Sequence, residues 1–291
     1  MSVLDQAHAA ASPRVAELAD GRHDIELHFS ECSNHLEVRV DVAESSAPAS
    51  VVIVTFEGEE LRRFRWGRAD AFGSAAFWAR QLHAAPSWPA SEHSLQHEVV
   101  FALLGGYGIT AEINIAAYQH LLEGGHLDHS VLDPQALELA LREPLTLSPA
   151  RPPVRYRFPA QRAQRIVEAL RALETIDASH TPRRLRDELT SLSGVGPKSA
   201  SWIVRNLTGS DDIAIIDIHV LRAGAAAGVF DRRWALPRDY ARFEISFLAW
   251  AAVADVPAAG FDLALWNAMR QLGPRKNLLP DVDTVDEWHR R

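Results

Sequence analysis

Two lysines stand among 28 arginines in this chain of 291 residues, and one of them, Lys198, closes the run Leu192-Ser-Gly-Val-Gly-Pro-Lys. Arginine stays protonated and cannot act as a nucleophile, whereas a partly desolvated lysine can shed its proton, attack an electrophilic carbon and form a Schiff base. The plainer reading is a lysine that contacts phosphate or solvent. Nineteen residues on, within Ile215-Ile-Asp-Ile-His-Val-Leu-Arg222, Asp217 follows an apolar, strand-like run and opens a helix. A carboxylate there can serve only as an N-cap, or it can project into a cleft and stabilise positive charge on a substrate. Between the helices on either side, Gly194, Val195 and Gly196 form a tight turn followed by the unpaired N–H groups of a helix start. Such a hairpin can hold a DNA backbone phosphate through main-chain amides without reading sequence, although a plain connection between helices would use the same glycines.

These residues need elements to place them. Residues 24–29 and 36–42 alternate with period two, as half-buried strands do, with Ser33-Asn34 as a turn, and Val51–Phe56 and Leu61–Trp66 extend the sheet. A helix over Ala69–Ala84 leads into the Pro-Ser-Trp-Pro tract at 86–89. Beyond Ser91 the pattern is helical, over His93–Leu104, Thr110–Leu122, Pro134–Arg142, Pro159–Leu173, Pro182–Leu192, Lys198–Leu207, Ile218–Ala227, Asp239–Ala254 and Phe261–Leu272. The fold class expected is mainly α: a β-rich N-terminal domain over 1–85, an all-helical domain over 90–280 with its hairpin at 193–197, and an acidic tail at 281–291.

Composition excludes several classes. Hydrophobic residues at 47% and charged residues at 23% suit a folded globular protein, and no apolar run is long enough to span a membrane. Cys32 is the only cysteine, which rules out an internal disulfide and an all-cysteine metal or iron–sulfur site. With no signal peptide legible, a cytoplasmic location is expected. Net charge is −8, unevenly spread. Residues 1–150 carry 9 Arg against 21 acids, whereas 151–223 carry 11 Arg and Lys198 against 8 acids, so only the middle segment is basic. Phosphate attraction acts within about 10 Å, and a basic face on an acidic protein can therefore bind DNA.

At this point the stretch Leu192–Arg222 resembles the helix–hairpin–helix DNA glycosylase superfamily, most closely its bifunctional 8-oxoguanine DNA glycosylase/AP lyases. The likeness is strong over these 31 residues, extends loosely from about 92 to 274, and does not cover the N-terminal strands. It implies that Lys198 is the Schiff-base lysine and Asp217 the catalytic aspartate. It also implies that the hairpin, His219 and Arg222 contact DNA. The partner implied is double-stranded DNA carrying a modified base, 8-oxoguanine foremost, bound by a monomer with no cofactor, no metal and no membrane. Two alternatives remain at this stage: a glycosylase for another damaged or bulky modified base in foreign DNA, and a non-catalytic DNA-binding module.

The chain departs from the family pattern four residues after the lysine, where Trp202 replaces a Cys or His. Trp202 and Trp266 are candidates for stacking on a flipped base, though buried tryptophans are more often core. In Leu103-Leu-Gly-Gly-Tyr-Gly-Ile-Thr110, Tyr107 could fill the hole that an extruded base leaves, or merely pack in a Gly-rich turn. The histidines at 93 and 97, and at 120, 126 and 129, lack a known metal-ligand spacing and read as surface residues.

Overall fold

The structure is a computed structural model. It describes residues 51–80, 91, 93–106, 108–127, 133–148, 150 and 152–273, together with the backbone of the strands at 14–17, 23–28 and 35–41. The chain divides into two compact units, one of Met1–Ala90, Thr181–Arg183 and Thr208–Arg291, the other of Ser91–His180 and Arg184–Leu207.

The first unit pairs a sheet with helices from the C-terminal part of the chain. Strands β1 (Arg14–Glu17), β2 (His23–His28), β3 (His35–Asp41), β4 (Val51–Phe56) and β5 (Glu59–Arg65) form an antiparallel meander in chain order. β1 carries no clear sequence signal. β5 begins two residues earlier than expected because Glu57 and Gly58 both adopt positive φ (53° and 82°), the backbone of a two-residue hairpin turn. The helices are α1 (Ala75–Arg80), α8 (Ile218–Ala226), α9 (Tyr240–Val253) and α10 (Ala258–Leu272). The expected helix from Ala69 starts instead at Ala75, because Gly67 and Gly73 take positive φ and Ser74 Oγ caps the helix by accepting from the Phe77 N–H at 3.0 Å. Its expected end lies outside the described residues.

Val52, Val54, Phe64 and Trp78 share one core with Phe230, Phe243, Phe247, Trp250 and Phe261. Trp250 donates to the Ala75 carbonyl at 3.2 Å, and its ring meets Phe261 edge-on at 4.7 Å. Arg62 on β5 donates to the carbonyls of Val229 (3.0 Å) and Gly228 (2.6 Å), just past the end of α8. The sheet is thus tied to the helix that Asp217 opens.

The second unit is helical: α2 (Leu95–Leu104), α3 (Ala111–Glu123), α4 (Pro134–Arg142), α5 (Pro159–Leu173), α6 (Pro182–Leu189) and α7 (Pro197–Thr208). Two short strands, β6 (Pro144–Leu145) and β7 (Val154–Arg155), pair between α4 and α5 and were not expected from sequence. Side-chain caps set the helix starts, Thr110 accepting from Ile113 N–H and Asp133 from Gln135 N–H. α6 ends at Leu189, three residues early, where the chain tightens into turns that lead to the hairpin. Val99, Leu103, Leu104, Leu121, Leu141, Ile166, Leu170, Ile203 and Val204 are buried here. Buried Glu98 accepts from Ser91 Oγ (2.5 Å) and Asn206 Nδ2 (2.8 Å), which fixes the far end of α7 against the start of α2. Among the described residues no single helix is long and apolar enough to cross a membrane.

Candidate active site

The candidate residues fall into two groups, one in each unit. In the second unit, Val195 N–H donates to the Leu192 carbonyl at 3.0 Å and closes the hairpin, and the buried Val195 side chain anchors it. The two glycines, expected together to relieve the turn and to let a backbone approach closely, divide that work. Gly194 has φ +86°, and a Cβ there would lie 2.8 Å from Arg165 Cδ and 3.1 Å from Leu103 Cδ2. Gly196 needs neither conformational relief nor room from protein neighbours, since a Cβ would meet no protein atom within 4 Å. The space over Gly196 is open to an incoming backbone. Its carbonyl accepts the first bond of α7, from Ala200 N–H at 2.9 Å.

Pro197 occupies the first helical position of α7, where a missing N–H costs nothing. Lys198 is therefore on the first turn of α7 and exposed. Its Nζ lies 6.0 Å over the ring of Trp202, one turn along. Trp202 is 36% exposed and meets Phe101 edge-on at 6.3 Å, so it is a surface aromatic beside the lysine rather than a core residue.

In the first unit, Asp217 is the N-cap of α8. Oδ1 alone accepts from the His219 N–H (2.8 Å) and the Val220 N–H (2.9 Å). Among the described residues Oδ2 accepts no hydrogen bond, so the cap commits only one of the two oxygens. His219 meets Trp266 edge-on at 6.2 Å, and the Arg270 guanidinium covers the Trp266 ring at 4.3 Å. Trp266 and Arg222 are half-buried. Tyr107 lies outside the described residues, as do Cys32, Ser33-Asn34 and His129.

The run before Asp217 is not a strand. Ile213 to Ile216 are buried and belong to no strand among the described residues; side chains of α9 and α10 take the amides of Ala214, Ile215 and Ile216. Ala214 N–H donates to Glu244 Oε1 (3.0 Å), Ile215 N–H to Asp262 Oδ2 (3.0 Å) and Ile216 N–H to Tyr240 Oη (3.2 Å). Nothing near residue 217 in sequence announces these partners.

Sequence reasoning also missed a basic, aromatic cluster around the α2–α3 turn, in which Arg157 is exposed, Phe158 half-buried, and Tyr156 and Arg162 buried. The Arg157 and Arg162 guanidiniums lie 5.0 and 5.9 Å over the Phe158 ring, and Arg162 Nη2 donates to the Gly105 carbonyl at 2.9 Å. Tyr156 donates to the Leu104 carbonyl at 2.5 Å, and burial pushes its phenol up to about 12. The alternation Arg155-Tyr-Arg-Phe158 was the available signal, a basic run with aromatic residues between.

His93 is exposed, as expected, and His97 half-buried; both Nδ1 atoms lie within hydrogen-bond distance of Tyr118 Oη, at 3.2 and 2.8 Å. Among the described residues no group of three or more His, Cys, Asp or Glu is placed to hold a metal ion.

The family model described as 8-oxoguanine DNA glycosylase matches residues 89–255, more than half the chain, from before α2 through α9. The chain belongs to the Ogg-type 8-oxoguanine DNA glycosylase family. Within it, proteins of Thermotoga petrophila and Thermotoga maritima, each named 8-oxoguanine DNA glycosylase/AP lyase, are 33% identical over 123 residues. Those matches cover 40% of this chain and 58% of each relative. A crystal structure of the Methanocaldococcus jannaschii 8-oxoguanine glycosylase/lyase with a 15mer DNA containing 8-oxoguanine aligns with a TM-score of 0.47 and 23% identity, covering 67% of this chain and 88% of that one. The mainly α fold agrees with what the helical periodicity and the hairpin resemblance implied, and the N-terminal sheet with what the strand alternation implied.

Proposed function

We propose that this protein excises 8-oxoguanine from double-stranded DNA and then cleaves the strand through a Schiff base on Lys198. The match of residues 89–255 to the 8-oxoguanine DNA glycosylase family carries the reading. Asp217 suits it: Oδ1 caps α8, and Oδ2 is left to face developing charge, as the second oxygen of the Asp133 cap is also left open among the described residues. In the reaction, the neutral Lys198 amine attacks C1′ as the glycosidic bond breaks and its electron pair leaves with the base, which takes up a proton. Asp217 stabilises the cationic character at the sugar. Opening of the sugar ring gives the imine, which acidifies the C2′ hydrogen. Loss of that proton expels the 3′ phosphate by β-elimination.

The remaining assignments follow the same division. The hairpin amides around Gly194, Val195 and Gly196 hold a backbone phosphate, aided by His219 and Arg222. Trp202 and Trp266 stack on the extruded base, Tyr107 fills the gap it leaves, and Arg157 with Phe158 extends the DNA-facing surface. The protein acts as a monomer in the cytoplasm, with no cofactor.

The test is a panel of duplexes, each with one modified base, assayed separately for base release and for strand nicking. Release of 8-oxoguanine ahead of other bases, followed by nicking 3′ to the site, is the expected result. DNA binding with no base released from any duplex would reduce the protein to a binding module.

A further inference from the structure

Asp217 can do its proposed work only if the start of α8 is held still, and the chain before it has no sheet to hold it. Residues 213–216 are buried, and the amides of 214–216 are turned toward side chains that lie 24 to 47 positions further along the chain. We infer that Tyr240, Glu244 and Asp262 are positioning residues for Asp217, a set of side-chain acceptors that stands where a neighbouring strand would be. The inference rests on the catalytic reading of Asp217.

The geometry has two layers. From α9, Glu244 and Tyr240 grip Ala214 and Ile216, and the Tyr240 hydroxyl both accepts from Ile216 N–H and donates back to the Ala214 carbonyl at 2.7 Å. From α10, one helix face tracks the segment step by step. Ala259 N–H donates to Asp211 Oδ1 at 2.8 Å, Asp262 accepts from Ile215 N–H, and Trp266 meets His219. Positions 259, 262 and 266 recur at the three- and four-residue spacing of one helical face, while their partners 211, 215 and 219 advance by four. α10 therefore fixes the segment before Asp217 and the residue two places after it. The Asp211 contact also explains why α10 begins at Ala258 rather than Phe261, since it caps amides that Pro257 cannot.

Buried carboxylates are costly acceptors, and Glu244 and Asp262 are 1% and 4% exposed. Three acceptors on two helices take the amides of three successive residues, which leaves the segment stiffer than a single bond would. That stiffness is what a residue placed for a transition state requires, because misplacement by about 1 Å can cost on the order of a hundredfold in rate.

The experiment uses the full chain and an 8-oxoguanine duplex, comparing single-turnover excision with duplex affinity. Tyr240→Phe keeps the ring and removes the hydroxyl, and it should slow excision about tenfold or more while Kd stays within about twofold. Glu244→Leu should lose at least as much, and Glu244→Gln, which keeps an acceptor oxygen for Ala214 N–H, should restore most of it. In an Asp217→Asn background Tyr240→Phe should cost little further. If Glu244→Leu fails to fold, Tyr240→Phe and its double variant carry the test alone. Native excision rates in a folded Tyr240→Phe protein, or an equal loss with and without Asp217, would overturn the inference and leave the catalytic reading standing. An absence of excision by the native protein would overturn both.

Discussion

The hairpin before α7 and the segment before α8 each deliver one polar side chain to a helix start, and they are built by different means. The hairpin is made locally: a positive φ at Gly194, a Val195 to Leu192 hydrogen bond and a proline at the first helical position suffice. The approach to Asp217 is made from a distance, by Glu244, Tyr240 and Asp262 on two later helices. A local turn leaves Lys198 exposed on the first turn of its helix, suited to a flexible amine that must reach a carbon. A buried, multiply held segment suits a carboxylate whose value depends on position. In the proposed reaction, the nucleophile would then tolerate error in its placement better than the charge-stabilising carboxylate would.

The largest effect is expected for Asp217→Asn, which keeps the capping oxygen on the His219 and Val220 amides and loses the charge. Excision should fall about 10²- to 10³-fold while the melting temperature barely changes. Native activity in this variant would return Asp217 to a cap.

Next comes the hairpin, where the two glycines should separate binding from folding. Gly196→Ala adds a methyl group into open space and should leave stability near native, yet weaken DNA affinity about tenfold by displacing one phosphate contact. Gly194→Ala should instead destabilise the fold by about 1–2 kcal/mol, the penalty of a left-handed backbone, and somewhat more if Leu103 and Arg165 cannot yield. Thermal melts and binding curves on both variants decide the matter, and a reversed order would show that the turn is misassigned.

The salt response sharpens the comparison further. Affinity should fall steeply as salt rises despite the net charge of −8, because counterion release counts phosphates neutralised at the interface. A flat salt response would contradict a phosphate-holding hairpin.

The smallest effect on folding is expected at Trp202. At 36% exposure its truncation should cost well below the ~3–5 kcal/mol of a core tryptophan. The order in which different modified bases are released should change instead. Unchanged preference would place the base-stacking wall elsewhere, with Trp266 as the next candidate.

What was legible in the sequence follows the same local and distant division. The hairpin and the cap at Asp217 could be read because glycine, proline and N-cap residues act within a few positions of themselves, whereas Lys198, expected to be partly desolvated, is exposed. The segment 213–216 read as a strand because its residues are apolar and β-branched, which reports burial and not pairing partner. Its actual partners are separated from it by the whole of α8 and the loop that follows. The C-terminal helices packing in one unit with the N-terminal sheet were equally hidden, since the contacts of Val52, Phe64 and Trp78 with Phe243 and Trp250 join residues more than 150 apart. Arg157 and Phe158 were legible and overlooked, their alternation being absorbed into the general basic count.

The central claim is tested most directly by borohydride trapping on an 8-oxoguanine duplex, which reduces an imine to a stable protein–DNA adduct. The native protein should form the adduct. Lys198→Ala should form none while retaining most of its DNA affinity. An adduct that persists in Lys198→Ala, or none from a native protein that releases the base, would contradict Lys198 as the nucleophile.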